Sequence, residues 1–133
     1  MRHKGMSEAE QARLRSLASY NILDSAPEHE YDDIVRRAAE LCGCPISTIT
    51  LVDRRRQWFK ASVGVAIQET DRHIALCDHI IRGPGLLIAP DTRLDKRFAD
   101  NPVVTDPKGI RFYAGAPLLS ADNHVLGALC VMD

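Results

Sequence analysis

The sequence predicts an antiparallel α+β domain, and three observations carry that reading. Two helical segments open the chain, hairpin patterns of β-branched residues follow and close it, and the middle is irregular. The regular strand–helix alternation of a doubly wound parallel sheet is missing. One sheet of about five or six strands is expected, with helices packed against it.

Ser7 with Glu10 forms a capping-box pattern that opens a helix over 7–21. Leu14, Leu17 and Ala18 share one side of it, and Glu8, Gln11, Arg13 and Arg15 occupy the rest. So narrow an apolar stripe suits a helix lying against a partner. Ser25 and Glu28 repeat the pattern, with Pro27 in a first helical turn. Tyr31, Ile34, Val35, Ala38, Leu41 and Cys42 then recur at the spacing of one helical face, and Gly43 supplies the stop.

Residues 45–52, PISTITLV, read as a buried strand because β-branched side chains fit a pleated surface. Residues 53–56 turn the chain, and 57–63 return as the second strand of a hairpin. Trp58 and Phe59, being adjacent, face opposite sides, one in the core and the other at a cavity or a helix contact. A loop then runs to Asp71, a short helix covers 73–81, and Gly-Pro-Gly at 83–85 breaks it. Residues 86–90, LLIAP, form a short strand, and 91–106 form a polar loop with one helical turn around 96–99. A polar connection of that length inside a compact domain is a place for function. Residues 110–118 and 125–132 close the chain as a second hairpin over a turn at 120–124.

Composition bounds the function classes. The 133 residues suit a single domain, and 45% hydrophobic with 26% charged residues belongs to a folded globular chain. A net charge of -1 gives no global pull toward nucleic acid or an anionic membrane. The run Arg54-Arg55-Arg56 reads as a solvated turn. No stretch approaches the ~20 apolar residues of a membrane span. The start, MRHKGM, is basic without the apolar run of a signal peptide, so the cytoplasm is the expected location. There, Cys42, Cys44, Cys77 and Cys130 are expected as reduced thiols.

Cys77-Asp78-His79 gathers a thiol, a carboxylate and an imidazole, but neighbours one and two apart on a helix do not converge. Cys77 is therefore read as a small core residue and His79 as a polar lining or surface residue, rather than as a catalytic pair. Cys42-Gly43-Cys44 is one residue short of the usual metal spacing, and no metal site is expected. Residues 83–85 lack the lysine of a phosphate loop. Asp91, Asp95, Asp100 and Asp106 lack calcium-loop spacing and read as turn and cap residues, with Asp91 set apart because it ends a strand. In IRFYAGAPL, 110–118, strand parity puts Phe112, Ala114 and Ala116 on a helix-packed face and Arg111, Tyr113 and Gly115 on the other. The second face is expected to line a cavity, with Arg111 holding an anion or carboxylate and Tyr113 forming a hydrogen-bonding wall. The alternative for Arg111 is an ion pair with a loop aspartate such as Asp91 or Asp100.

YNILDSAPEHEYDDIVRRAAELCGCPISTITLVDRRRQWFKASVG, ETDRHIALCDHII, IAPDTRLDKRFADNPVV and IRFYAGAPLLSADNHVLGALCVMD closely resemble GAF domains. The resemblance is to the sensory type found at the front of bacterial histidine kinases and diguanylate cyclases, and it covers 20–133. It implies a sheet of about six strands, helices on one face and an irregular segment over a small-molecule cavity on the other. It also implies a non-enzymatic regulatory module that forms homodimers through its terminal helices and controls an attached kinase or cyclase domain. That function belongs to two-component or cyclic-di-GMP signalling. Residues 1–19 are then expected as a signalling helix, and 20–133 as a GAF domain lacking the family's final helix, in a truncated or excised sensor. The ligand-binding residues expected are Trp58, Cys77, His79, Asp91, Phe98, Arg111 and Tyr113. Lys96, Arg97, Phe98 and Asp100 echo the cyclic-nucleotide signature only faintly, and Cys77 is followed by Asp78 rather than the histidine of bilin-attaching domains. Neither group is expected, and the small molecule has no further identity. Two alternatives stand beside this reading. One is a thiol-dependent free methionine sulfoxide reductase using Cys77 and Cys130, and the other is a ligand-free dimerisation spacer.

Overall fold

A computed structural model describes residues 6–83 and 85–133. Strands β1 (Ile46–Val52), β2 (Arg56–Val63), β3 (Glu69–Asp71), β4 (Leu87–Ala89), β5 (Tyr113–Leu119) and β6 (Val125–Met132) form one sheet. Their spatial order is β3-β2-β1-β6-β5-β4, with every neighbouring pair antiparallel. Helices α1 (Glu8–Ser19) and α2 (His29–Cys42) cover β1, β2 and β6 on one face. Short helices α3 (Asp78–Arg82) and α4 (Pro102–Thr105) lie with the irregular segments on the other. The α+β reading stands. Most of the basic start of the chain, residues 1–5, lies outside the described residues.

The two faces carry separate cores. Leu17 and Val35 from the helices meet Ile49, Leu51, Trp58, Ala61 and Leu126 on one side. Val52, Ala128, Cys130 and Tyr113 meet Cys77, Ile80 and Phe98 on the other. β1 alternates between them, since successive strand side chains point to opposite faces.

Helix starts follow the sequence only in part. Ser7 accepts from the Glu10 N–H at 3.1 Å as its cap. The Glu10 carboxylate turns away, to Arg13 and Arg72. At α2 no capping box forms: Glu28 is the N-cap without a side-chain bond, and Pro27 lies outside the helix. Ser25 instead donates to Ile22 O and accepts from Lys60 Nζ at 2.7 Å. Gly43 ends α2 at φ 64°, the left-handed stop its sequence position implied. The buried face of α2 is Val35 and Ala39, while Ile34 and Leu41 (88% exposed) point to solvent. The six-residue apolar pattern was broader than the face it marks.

The β1–β2 hairpin is broken in register. Ile49 pairs with Ala61 and Thr50 with Phe59, leaving Lys60 as the extra residue of a bulge. Trp58 and Ala61 consequently join one core although three positions apart. The Lys60 ammonium, fully shielded from solvent, reaches Glu28 at 2.6 Å and Ala26 O at 2.6 Å, pinning the entry to α2 against the sheet.

Other differences lie in the middle. The expected 73–81 helix is a 3-10 turn at Arg72–Ile74 and then α3, because Ala75 is extended (φ -76°, ψ 122°). β3 and α4 were not anticipated, although Asn101-Pro102 is a helix-start pair: Asn101 accepts from Val103 N–H at 2.9 Å, and Pro102 occupies the first turn. Phe112, Ala114 and Ala116 are only half-buried, because α1 and α2 lie mainly over β1, β2 and β6 and their core reaches β5 at Leu118.

Candidate functional site

Between the sheet and the α3–α4 segment lies a cavity of about 460 Å3. Thr48 and Thr50 from β1, Gln57 and Phe59 from β2, and Tyr113 from β5 form its floor. Residues 74–77, 102–103 and 108–110 form its roof. The wall is largely apolar, so each polar group on it stands out.

Two of those groups have no partner. Gln57 donates an amide N–H to Thr70 Oγ1 at 3.2 Å, and the Thr70 hydroxyl donates in turn to Asp71 O at 3.3 Å. The Gln57 carbonyl oxygen is left buried and unbonded, and the Thr48 hydroxyl, on a residue with 0% exposure, makes no hydrogen bond of good geometry and has only the Cys130 thiol of the neighbouring strand beside it. Buried polar atoms are ordinarily paired, and an unpaired one costs about 1–3 kcal/mol.

Beside them is a polar cluster built around sulfur. Thr50 Oγ1 donates to Cys77 Sγ at 3.2 Å, and Tyr113 OH donates to the same sulfur at 3.3 Å. Cys130 Sγ is 3.1 Å from Cys77 Sγ and 3.0 Å from Tyr113 OH. Hydrogen bonds from Cys130, Thr50 and Tyr113 hold the pKa of the Cys77 thiol below its ordinary value against the opposing effect of burial. Burial pushes the Cys130 thiol and the Tyr113 phenol well up. All four cysteines are free thiols.

The seven residues singled out from sequence divide sharply. Cys77 and Tyr113 line the cavity. Trp58 lies in the helix-side core, and Phe59 takes the cavity side of that strand. Phe98 is fully buried behind the cavity, edge-on to Tyr113 (centroids 5.7 Å apart) and to His79 (5.0 Å). His79 lines a separate surface depression with Arg82, Leu87 and Arg97, and burial lowers the pKa of its imidazole. Asp91 accepts from Arg93 N–H and pairs with its guanidinium at 3.0 Å, which holds the carboxyl below its usual range. Arg111 donates to Val104 O at 2.6 Å and Asp106 O at 3.1 Å, tying down the C-terminal end of α4. Among the described residues it has no carboxylate at ion-pair distance, so the Asp91 or Asp100 pairing is not formed.

Sequence reasoning missed Thr48, Thr50 and Gln57, and of the Trp58–Phe59 pair it placed Trp58 rather than Phe59 in the ligand set. The threonines did leave a signal, since they alternate with Ile49 and Leu51 and so form a polar stripe on one face of a buried strand. Among the described residues no group of three or more His, Cys, Asp or Glu side chains could hold a metal ion. No helix of the described residues is long and apolar enough to cross a membrane.

Comparison with known proteins matches this architecture. The GAF domain profile matches residues 26–133, and the chain belongs to the GAF domain family. A cyclic di-GMP phosphodiesterase of Pseudomonas aeruginosa is 39% identical over 126 residues, covering 95% of this chain. The chain spans only 22% of that relative's length. The GAF domain of an Acinetobacter phosphoenolpyruvate-protein phosphotransferase superposes with a TM-score of 0.62 at 19% identity, over 96% of this chain and 78% of that one. A free methionine-R-sulfoxide reductase from Neisseria meningitidis, solved with its substrate, gives 0.62 at 14% identity, over 100% and 79%. At those identities the structural likenesses establish the fold.

Proposed function

We propose that this chain is a non-enzymatic sensory module of a larger bacterial signalling protein. It binds a small molecule in the cavity between the sheet and the α3–α4 segment. In this reading, occupancy shifts a homodimer between two arrangements and so controls an attached output domain, in the cytoplasm, within cyclic di-GMP or two-component signalling. The family membership and the phosphodiesterase relative support the signalling context.

The observation that carries the ligand reading is the pair of orphaned atoms, Thr48 Oγ1 and Gln57 Oε1, on an apolar cavity wall. Thr48 lies on β1 four residues before Val52, the register partner of Gln57, which separates them by roughly 13 Å along the strand. A ligand that satisfies both is elongated, mostly apolar, and carries a hydrogen-bond donor at its Gln57 end. A ligand can act as a signal only if it binds the two arrangements unequally.

Native mass spectrometry of the purified chain tests this directly. Added mass that disappears in Thr48→Val and Gln57→Leu variants is expected. A chain that carries no adduct, and whose melting temperature no metabolite in a broad panel raises, rules the ligand out and leaves the spacer alternative. Sedimentation velocity reads the dimer separately. For the reductase alternative the measurement is NADPH consumption with thioredoxin and free methionine sulfoxide. Turnover abolished by Cys77→Ser would establish an enzyme.

A further inference from the structure

We propose that Cys77 and Cys130 form a dithiol that a small hydroperoxide oxidises reversibly to a disulfide, making the cavity wall responsive to oxidant whether or not a ligand is bound. The thiols come from separate elements, the residue that precedes α3 and the central strand β6, yet their sulfurs stand 3.1 Å apart. A disulfide needs about 2.05 Å, a movement of about 1 Å that side-chain rotation and slight settling of α3 supply. Cys42 and Cys44 belong to the end of α2 and have no part in this cluster.

The surroundings assign the two sulfurs different work. Cys77, itself only 3% exposed, lines the cavity where Cys130 does not, and it receives the hydroxyls of Thr50 and Tyr113, an arrangement that stabilises a thiolate beside space a small molecule can enter. Cys130, 1% exposed, lies behind it with Tyr113 OH at 3.0 Å. Cys77 is therefore the attacking sulfur and Cys130 the resolving one.

In the first step the Cys77 thiolate attacks one peroxide oxygen. The O–O bond breaks and the alkoxide leaves and takes a proton, giving an alcohol and a sulfenic acid on Cys77. In the second step Cys130 Sγ attacks Cys77 Sγ. The S–O bond breaks, and the departing hydroxide takes the Cys130 proton to become water. Together the two thiols lose two electrons and two protons, and one hydroperoxide becomes one alcohol and one water. An external dithiol returns the electrons by exchange and is itself oxidised.

Closing the bond ties the start of α3 to β6. Asp78, the next residue, accepts from Arg72 Nε at 2.9 Å, and Arg72 pairs with Glu10 of α1. The oxidised site is thus two ion pairs away from the N-terminal helix.

The test is oxidation of the folded chain with about a tenfold excess of hydrogen peroxide, then denaturation, alkylation and peptide mass spectrometry. A product two hydrogens lighter is expected, with Cys77 linked to Cys130, Cys42 and Cys44 alkylated, and full reversal by dithiothreitol. Complete alkylation of Cys77 and Cys130 after oxidation overturns the proposal, as does a bond that involves Cys42 or Cys44 instead. In Cys130→Ser, dimedone is expected to trap a sulfenic acid on Cys77. If dimedone labels Cys130 in Cys77→Ser and not Cys77 in Cys130→Ser, the assigned roles are overturned. Tyr113→Phe is expected to slow oxidation about tenfold, and an unchanged rate overturns the part given to its hydroxyl. None of these outcomes bears on ligand binding, which native mass spectrometry reads independently.

Discussion

Gln57 is oriented by Thr70. With its amide nitrogen donated to Thr70 Oγ1 at 3.2 Å, and with the Thr70 proton committed to Asp71 O, the glutamine can offer the cavity only its carbonyl oxygen. The strand pairing of Gln57 with Thr70 holds that geometry in place at the β2–β3 edge.

Replacing an orphaned polar group by an apolar one of similar size removes a desolvation cost. Thr48→Val should therefore leave the ligand-free domain as stable as wild type or slightly more so, while Gln57→Met, which also gives up the bond to Thr70 Oγ1, should change stability by no more than about 1 kcal/mol either way. Urea midpoints on chain stripped of any adduct check this. A loss above about 2 kcal/mol in either variant would mean that the atom has a partner in solution.

Lys60 is a different kind of buried polar residue, because all its partners are in place. Lys60→Met should cost about 1–3 kcal/mol, since Ala26 O and Ser25 Oγ lose their donor while Glu28 remains partly hydrated. Glu28→Gln, which keeps an acceptor beside the ammonium, should cost less than Glu28→Ala. Guanidinium unfolding curves for the three variants give the order.

Glu10 links acid stability to α1. Burial acts to raise its pKa, but hydrogen bonds and charge from Arg13 and Arg72 outweigh this and bring it from 4.5 to about 2. A carboxylate with a lowered folded-state pKa contributes stability that is fully present above its unfolded value. That contribution is lost as pH falls from about 4.5 toward about 2. Allowing for solvent screening, it amounts to about 1–2 kcal/mol. Wild type and Glu10→Gln should differ by that amount in urea unfolding at neutral pH and converge near the lower end of the window. A gap that persists there would assign the stability to packing instead.

What the sequence disclosed followed from local chemistry. The Ser7 cap, the Gly43 stop, the strand at 46–52 and the closing hairpin all rest on residues a few positions apart. It failed where a distant partner decides. Ser25 looks like a cap, but Lys60, thirty-five positions away, claims its hydroxyl. Arg111 carries a charge that suggests an anion, yet the carbonyls at the end of α4 take it. Trp58 and Phe59 were correctly assigned to opposite faces by parity. Parity alone cannot say which face is the cavity, and the bulge at Lys60 shifts the phase within β2. Cys77 and Cys130 are fifty-three positions apart, so only the folded register could bring their sulfurs together.

The flanks of the sheet limit how copies of this chain can associate. β3 and β4 hold the two outer positions in the strand order, and each is only three residues long. An outer strand is where a neighbouring chain can continue the hydrogen-bond ladder, and a stub this short offers little to continue. Growth by edge-to-edge addition, the route to fibrils and swapped sheets, is therefore discouraged at β3 and β4 themselves, and the outer edge left to it is the far end of β2 at 60–63 and of β5 at 116–119, where Lys60 and Pro117 interrupt the ladder.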